Sequence, residues 1–245
     1  MYNFEFIFSM PNTLNVIKNT IFIAFWKIVL GMIIPIAVTL LLNEVKSSGI
    51  KRTIQSVIYF PYFLSWIVYA ALLIDLLSPS SGLVNKFLEF LGMEAIFFLG
   101  DNRYFQWTII ITDVLKNFGY GTVVYMAAIT GIDPNLYEAA SIDGAGRWRQ
   151  TLHITLPGLQ MVIVLVMVLS LGNVLNAGFD QIFNLYAPYV YETGDIIDTM
   201  MYRLGLVQAM FGPSVAIGLF KSLVSLVFIS VSYYLAHKFF DYRIF

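Results

Sequence analysis

Five stretches of this chain are long and apolar enough to cross a membrane, and nothing else in the sequence limits its fold as strongly. They run over about 20–42, 55–77, 105–130, 159–179 and 213–238. Each reaches the roughly 20 mainly apolar residues that a hydrocarbon core requires. Only 12% of the residues are charged, where soluble domains carry about 25%. An all-α, polytopic membrane helix bundle follows, because a helix satisfies its backbone polar groups within the segment. A β-barrel would need alternating strands of about ten residues. Runs such as IVYAALLIDLL and MVIVLVMVLSL do not alternate.

Several chemistries are excluded early. The net charge is −1, so no overall positive field recruits nucleic acid. Cysteine is absent, and His153 and His237 are the only histidines. Disulfides and thiolate metal sites are therefore ruled out, two histidines are too few for a His-based cluster, and no metal site is expected. There is no G-x-x-x-x-G-K-[ST] loop to hold nucleotide phosphates, nor a Ser/His/Asp set close in sequence. No catalytic residue is assigned, and the chain is not expected to be an enzyme.

Lys and Arg in the connections set the orientation. Lys46, Lys51, Arg52, Arg147, Arg149, Lys238 and Arg243 fall on one side of the five-helix map; Lys18, Lys86, Arg103 and Arg203 fall on the other. Lys27, Lys116 and Lys221 lie inside spans. The bias puts connections 43–54 and 131–158 and the carboxyl terminus in the cytoplasm, with 78–104 and 180–212 external. Residues 78–104 are expected as a short interfacial helix and turn, and residues 180–212 as an external loop rich in Tyr and Asp. The amino terminus then lies outside, although residues 1–19 lack the basic start, apolar run and cleavage site of a signal peptide. A first helix missing upstream is the simplest explanation; insertion directed by downstream charges is the other.

Residues 131–158, GIDPNLYEAASIDGAGRWRQTLHITLPG, are the most informative. Asp133 followed by Pro134 predicts a helix start: a side-chain acceptor at the N-cap, then Pro where its missing N–H costs nothing. The helix should end at Gly144, and a second short helix, RWRQTLHI, should lead to Pro157. Such an elbow can transmit force at a membrane surface. On local physics alone, an inert interfacial hairpin fits equally well.

Glu138-Ala139-Ala140, three residues, Gly144, nine residues, Ile154, one residue and Leu156-Pro157 match in type and spacing the EAA loop of ABC importer permeases. The surrounding sequence resembles binding-protein-dependent permeases of the carbohydrate uptake, maltose-permease-like family. The stretch NAGFDQIFNLYAPYVYETGDIIDTMMYRLGL is closer still to the polysaccharide or aldouronate-type branch. The resemblance implies a type I ABC importer permease fold, a bacterial cytoplasmic membrane location and alternating access for an oligosaccharide or polysaccharide-derived sugar. It implies a second permease subunit, two cytoplasmic ATPase subunits or domains that use ATP and Mg, and an extracytoplasmic sugar-binding protein; membrane lipid surrounds the whole. No cofactor is expected in this chain. The family usually carries a further helix before these five. By the same resemblance Glu138 contacts the ATPase, Ala139 and Ala140 allow close approach, Gly144 permits the bend, and Ile154, Leu156 and Pro157 complete the loop. A non-transporting sensor or assembly component of an ABC complex is the competing reading.

Polar residues inside spans are expensive facing lipid, so Asp113, Asn117 and Tyr120 in the third span and Asn173 and Asn176 in the fourth are candidates for a substrate pathway. Asp113 and Lys116 share a helix face, as do Asn173 and Asn176. Phe179, Asp180 and Gln181 follow near the outer face. Amides and aromatics suit a sugar, but bundle-forming roles also fit. Lys221, at mid-helix, should have an internal partner. Tyr186, Tyr189 and Tyr191 are candidate contacts for the binding protein, with an aromatic belt as the alternative. Met200, Met201 and Met210 read as packing filler.

Overall fold

The first expected span, about 20–42, lies within one unbroken helix that Pro35 does not end. The computed structural model describes residues 2–240, with no strand among them; Arg243 and the carboxyl-terminal residue lie outside the described residues. Helix α1 (Tyr2–Ser9) buries Ile7 and leads into α2 (Thr13–Asn43).

The second span, expected as one helix over 55–77, is broken. Helix α3 (Ser48–Tyr59) starts at Ser47, whose hydroxyl accepts the Ile50 N–H. It passes through a tight 3-10 turn at Phe60–Phe63 and resumes as α4 (Trp66–Leu76), capped by Ser65. The two parts are bent by 104°. Pro61 has no N–H to continue the ladder, while Ser65, whose hydroxyl accepts the Val68 N–H, offers a fresh start. Helix α5 (Leu83–Phe90) follows. Buried Asn85 donates to the carbonyls of Leu77, Ser78 and Ile96 and accepts the Ile96 N–H at 2.7 Å. One amide thus ties the turn after α5 back to the end of α4.

Helix α6 (Asn102–Thr130) is long but more polar than a lipid-facing span. Its buried positions include Phe105, Thr108, Ile109, Thr112, Lys116 and Thr122, which recur at helical spacing. A helix that turns this face to protein does not need to be apolar all round. Helix α7 (Pro134–Ile142) precedes α8 (Arg147–Gln150), a π-helical segment Thr151–Thr155, and α9 (Leu156–Leu171). The predicted second short helix therefore continues directly into the span. The π register falls just before Pro157, which has no N–H to donate.

Helix α9 ends at Leu171, so the fourth span does not reach 179. Residues 180–212, expected as a loop, fold into α10 (Phe179–Leu185), a 3-10 turn at Pro188–Val190, α11 (Tyr191–Gly194) and α12 (Ile197–Tyr202). Gln181, Ile182, Val190, Ile196, Ile197 and Thr199 are buried there. Helix α13 (Phe211–Phe240) closes the chain. Among the described residues, Thr13–Asn43, Arg147–Leu171 and Phe211–Tyr234 are each long and apolar enough to cross a membrane; the bent pair makes a fourth. Helix α6, the third of the five expected spans, is long enough but less apolar than these.

The chain divides into two compact units, Met1–Lys27 with Phe63–Val114 and Asn173–Phe228, and Ile28–Tyr62 with Leu115–Gly172 and Ile229–Phe245. Ile23, Phe105, Ile109, Ile182 and Ile197 are core residues of the first, where α10 packs on α4 and α12. In the second, Tyr125, Leu159 and Val164 are buried, and α6 meets α3 backbone to backbone at Gly119. A Cβ there would lie 1.9 Å from the Ile58 carbonyl oxygen. Gly119→Ala should therefore destabilise the protein by about 1–3 kcal/mol, the usual range for overpacking, read as a lower melting temperature in detergent.

Candidate functional site

The elbow is built as its local sequence dictates. The Asp133 carboxylate accepts the Asn135 N–H at 3.0 Å, with Pro134 opening α7. The helix closes on Gly144, whose φ is +76°. The Ala145 N–H donates to the Ala140 carbonyl at 2.8 Å and the Gly144 N–H to the Ser141 carbonyl at 3.1 Å, the pair of bonds that ends a helix through a left-handed residue. A Cβ at Gly144 would meet nothing within 4 Å, so the demand for glycine is conformational and not a matter of space.

The elbow is braced from behind. Gln150 donates to the Ser141 hydroxyl and to the Ala145 carbonyl, and the Tyr137 and Thr155 hydroxyls are 3.0 Å apart. Arg147 pairs with Glu44 just past the end of α2, a partner that its sequence position did not suggest. Ile154 and Leu156 are half-buried and Pro157 is exposed. The outer side is bare: Glu138 and Ala139 are exposed, Ala140 is half-buried, and Leu136 and Ile142 stand 51% and 86% exposed. The Glu138 carboxylate thus stands between two exposed apolar side chains on one short helix.

The polar residues of the spans are engaged inside each unit. In the first, Lys27 carries its ammonium into an apolar helix. It lies 3.2 Å from Asp113 and donates to the Ala177 carbonyl and the Gln181 amide oxygen at 2.7 and 2.5 Å. Gln181 turns its amide nitrogen to the Ile109 carbonyl and the Thr112 hydroxyl, and the Tyr69 hydroxyl donates to the Thr112 carbonyl. The carboxylate of Asp113 is thus neutralised from another helix. In the second unit, Lys116 donates to the carbonyls of Pro61 and Tyr62 at 3.3 and 2.9 Å, the groups left over where the bent span breaks. Its ammonium lies 5.6 Å from the Tyr62 ring, which stacks on Tyr120 at 4.0 Å. Tyr120 is 47% exposed and Asn117 half-buried. Asn173 and Asn176 are exposed, but they sit in the turn after α9 and not on a helix face; the Asn176 N–H donates to the Asn173 carbonyl.

The segment after α10 is also knitted together. Buried Asp195 takes Arg203 on both oxygens and the Thr199 hydroxyl. Asn19 donates to the carbonyls of Glu192 and Asp195 and accepts from Gln106. Arg203 lies over Tyr191, which stacks on Tyr186. Burial first, then the Tyr191 hydroxyl, pushes the Tyr186 hydroxyl well above the ordinary tyrosine range, and the bond to Asp195 holds Arg203 even more firmly protonated. Tyr186 and Tyr191 are half-buried, while Tyr189 stands 59% exposed. Lys221 finds Asp198 at 2.5 Å. Sequence reading named neither Lys27 as the partner of Asp113 nor Asp195 with Arg203. The usable signal was the lysine itself, because an ammonium inside an apolar run requires an internal counterpart.

Charged side chains inside the spans are held by other protein groups, and the elbow keeps Glu138 and Ile142 exposed. The chain belongs to the family of binding-protein-dependent transport system inner membrane components, whose model matches residues 45–241. It is 39% identical to the polygalacturonan/rhamnogalacturonan transport system permease protein YteP of Bacillus subtilis strain 168, covering 95% of this chain and 73% of that protein. It is 36% identical to the protein LplB of the same organism, covering 96% and 74%. Its fold superposes with a TM-score of 0.94, at 36% identity, on a bacterial ABC transporter involved in the import of the acidic polysaccharide alginate, covering 98% of this chain and 84% of that one. The architecture is the type I ABC importer permease fold.

Lys27→Met should cost up to about 3 kcal/mol, because it strips a half-buried carboxylate of its cation. Thermal unfolding in detergent should show the loss, and adding Asp113→Asn to the same chain should restore much of it.

Proposed function

We propose that this chain is a permease subunit of a bacterial ABC importer that passes an oligosaccharide, released from a polysaccharide, across the cytoplasmic membrane. The observation that carries the reading is the intact EAA spacing on an elbow that is braced behind and bare in front. Glu138 is then the charged contact for a cytoplasmic ATPase subunit, with Leu136 and Ile142 as apolar contacts beside it. ATP and Mg belong to two such ATPase subunits or domains, and a second permease completes the passage. The elbow and the carboxyl terminus lie in the cytoplasm. Support for a sugar comes from the relatives, since YteP carries polygalacturonan or rhamnogalacturonan in its name and the alginate transporter is also described in complex with a pentasaccharide-bound periplasmic protein. An extracytoplasmic binding protein delivering sugar to residues 180–212 agrees with that, and exposed Tyr189 is its first contact, with Tyr186 and Tyr191 behind.

Glu138→Ala should leave insertion intact and weaken ATPase binding by roughly tenfold or more, the scale of a lost interfacial hot spot. Gly144→Val should do the same through strain at positive φ, whereas Gly144→Asn, which tolerates that conformation, should retain most activity. Co-purification and sugar-stimulated ATP hydrolysis in liposomes measure both. Normal values for Glu138→Ala and Gly144→Val would remove the coupling role.

Asp113, Asn117, Tyr120, Asn173 and Asn176 belong to the passage in this reading. The two exposed amides at 173 and 176 give hydrogen bonds each worth about 0.5–1.5 kcal/mol net, weak enough for release. Replacing both by Leu should lower uptake while the sugar affinity of the binding protein stays unchanged. Unaltered uptake kinetics would place the passage elsewhere.

A further inference from the structure

Two cavities meet behind the elbow, inside the second unit. One, of about 440 Å³, is walled by Ala37, Leu40, Leu41 and Trp148. The other, of about 450 Å³, is polar and includes Lys46, Tyr137, Ser141 and Gln150. They share Glu44, Arg147 and Thr151. An apolar half and a polar half joined at an ion pair match a molecule with a hydrocarbon chain and a charged head.

The apolar half lies on α2, within a helix long and apolar enough to span the membrane. Ala37 sits six residues before Asn43 in that helix, about 9 Å deeper at the helical rise. A soluble partner would have to enter the hydrocarbon to fill this groove, whereas lipid is already there. Leu41 and Trp148 at its edge are 70% and 73% exposed. A tryptophan at a span end is suited to the headgroup level. In the polar half Lys46 and Arg147 outnumber Glu44, and the guanidinium keeps donors beyond the one given to Glu44.

We propose that the paired cavity holds one anionic phospholipid of the surrounding leaflet, its phosphodiester on Arg147 and Lys46 and an acyl chain along Ala37, Leu40, Leu41 and Trp148. The site would tie the base of the elbow to the membrane. It needs only that the chain spans a membrane, not the sugar or the ATPase docking proposed above, so uptake and ATPase binding can fail with this site intact.

The purified transporter complex, titrated with phosphatidylglycerol and read by native mass spectrometry, should retain a lipid that two variants lose. Lys46→Gln should weaken retention roughly fivefold, the usual contribution of one basic residue at an anionic surface. Ala37→Phe should abolish it by filling the apolar half. Both leave the Glu44–Arg147 pair in place. In nanodiscs, lipids brominated on the acyl chain should quench the part of the fluorescence that Trp148→Phe removes. Unchanged retention in both variants would overturn the site. So would absence of quenching assigned to Trp148, or its loss when the ATPase subunit is added, which would make the groove a protein interface.

Discussion

The ammonium of Lys27 is the constraint on which the first unit depends. A charge inside an apolar helix is expensive unless every donor has an acceptor. Here a carboxylate, a backbone carbonyl and an amide oxygen converge on it. Meeting that demand fixes where α10 sits, because Gln181 must reach Lys27 with its oxygen and α6 with its nitrogen. The helix break at 172–178 follows from the same requirement, since the Ala177 carbonyl is available to Lys27 only outside a continuing helix.

The second unit solves the same problem in reverse. There the backbone is broken first, at Pro61, and a lysine is brought to it. Carbonyls freed in a membrane-spanning element must be satisfied within the protein, and Lys116 supplies two of the bonds. Lys116 is held to backbone, and the aromatic pair Tyr62–Tyr120 is positioned beside it. The elbow follows the opposite rule. Its bracing bonds all point backward, to Gln150, Thr155 and Glu44, so its front is left free without becoming loose.

Most of the elbow was legible in the sequence because its determinants are local. An Asp-Pro start and a glycine at the end act within a few residues of one another, and both appear as read. The polar interior was only half legible. Asp113 and Lys116 stood out as costly, but spacing on one helix could not name Lys27, Pro61 or Tyr62 as partners. Asn173 and Asn176 were given a shared helix face that ends two residues too early, at Leu171.

The sequence by itself determined that the chain is helical, membrane-bound and equipped with an EAA elbow. Composition and short motifs carry that information, because apolar length and caps act along the chain. Only the tertiary structure decided that α6 buries Thr108, Thr112, Lys116 and Thr122 and that the second span is bent near Pro61. Only it decided which buried charges neutralise one another. Lys27 and Asp113 meet from different helices, and a sequence states the charge on a side chain but not the neighbour that folding places beside it.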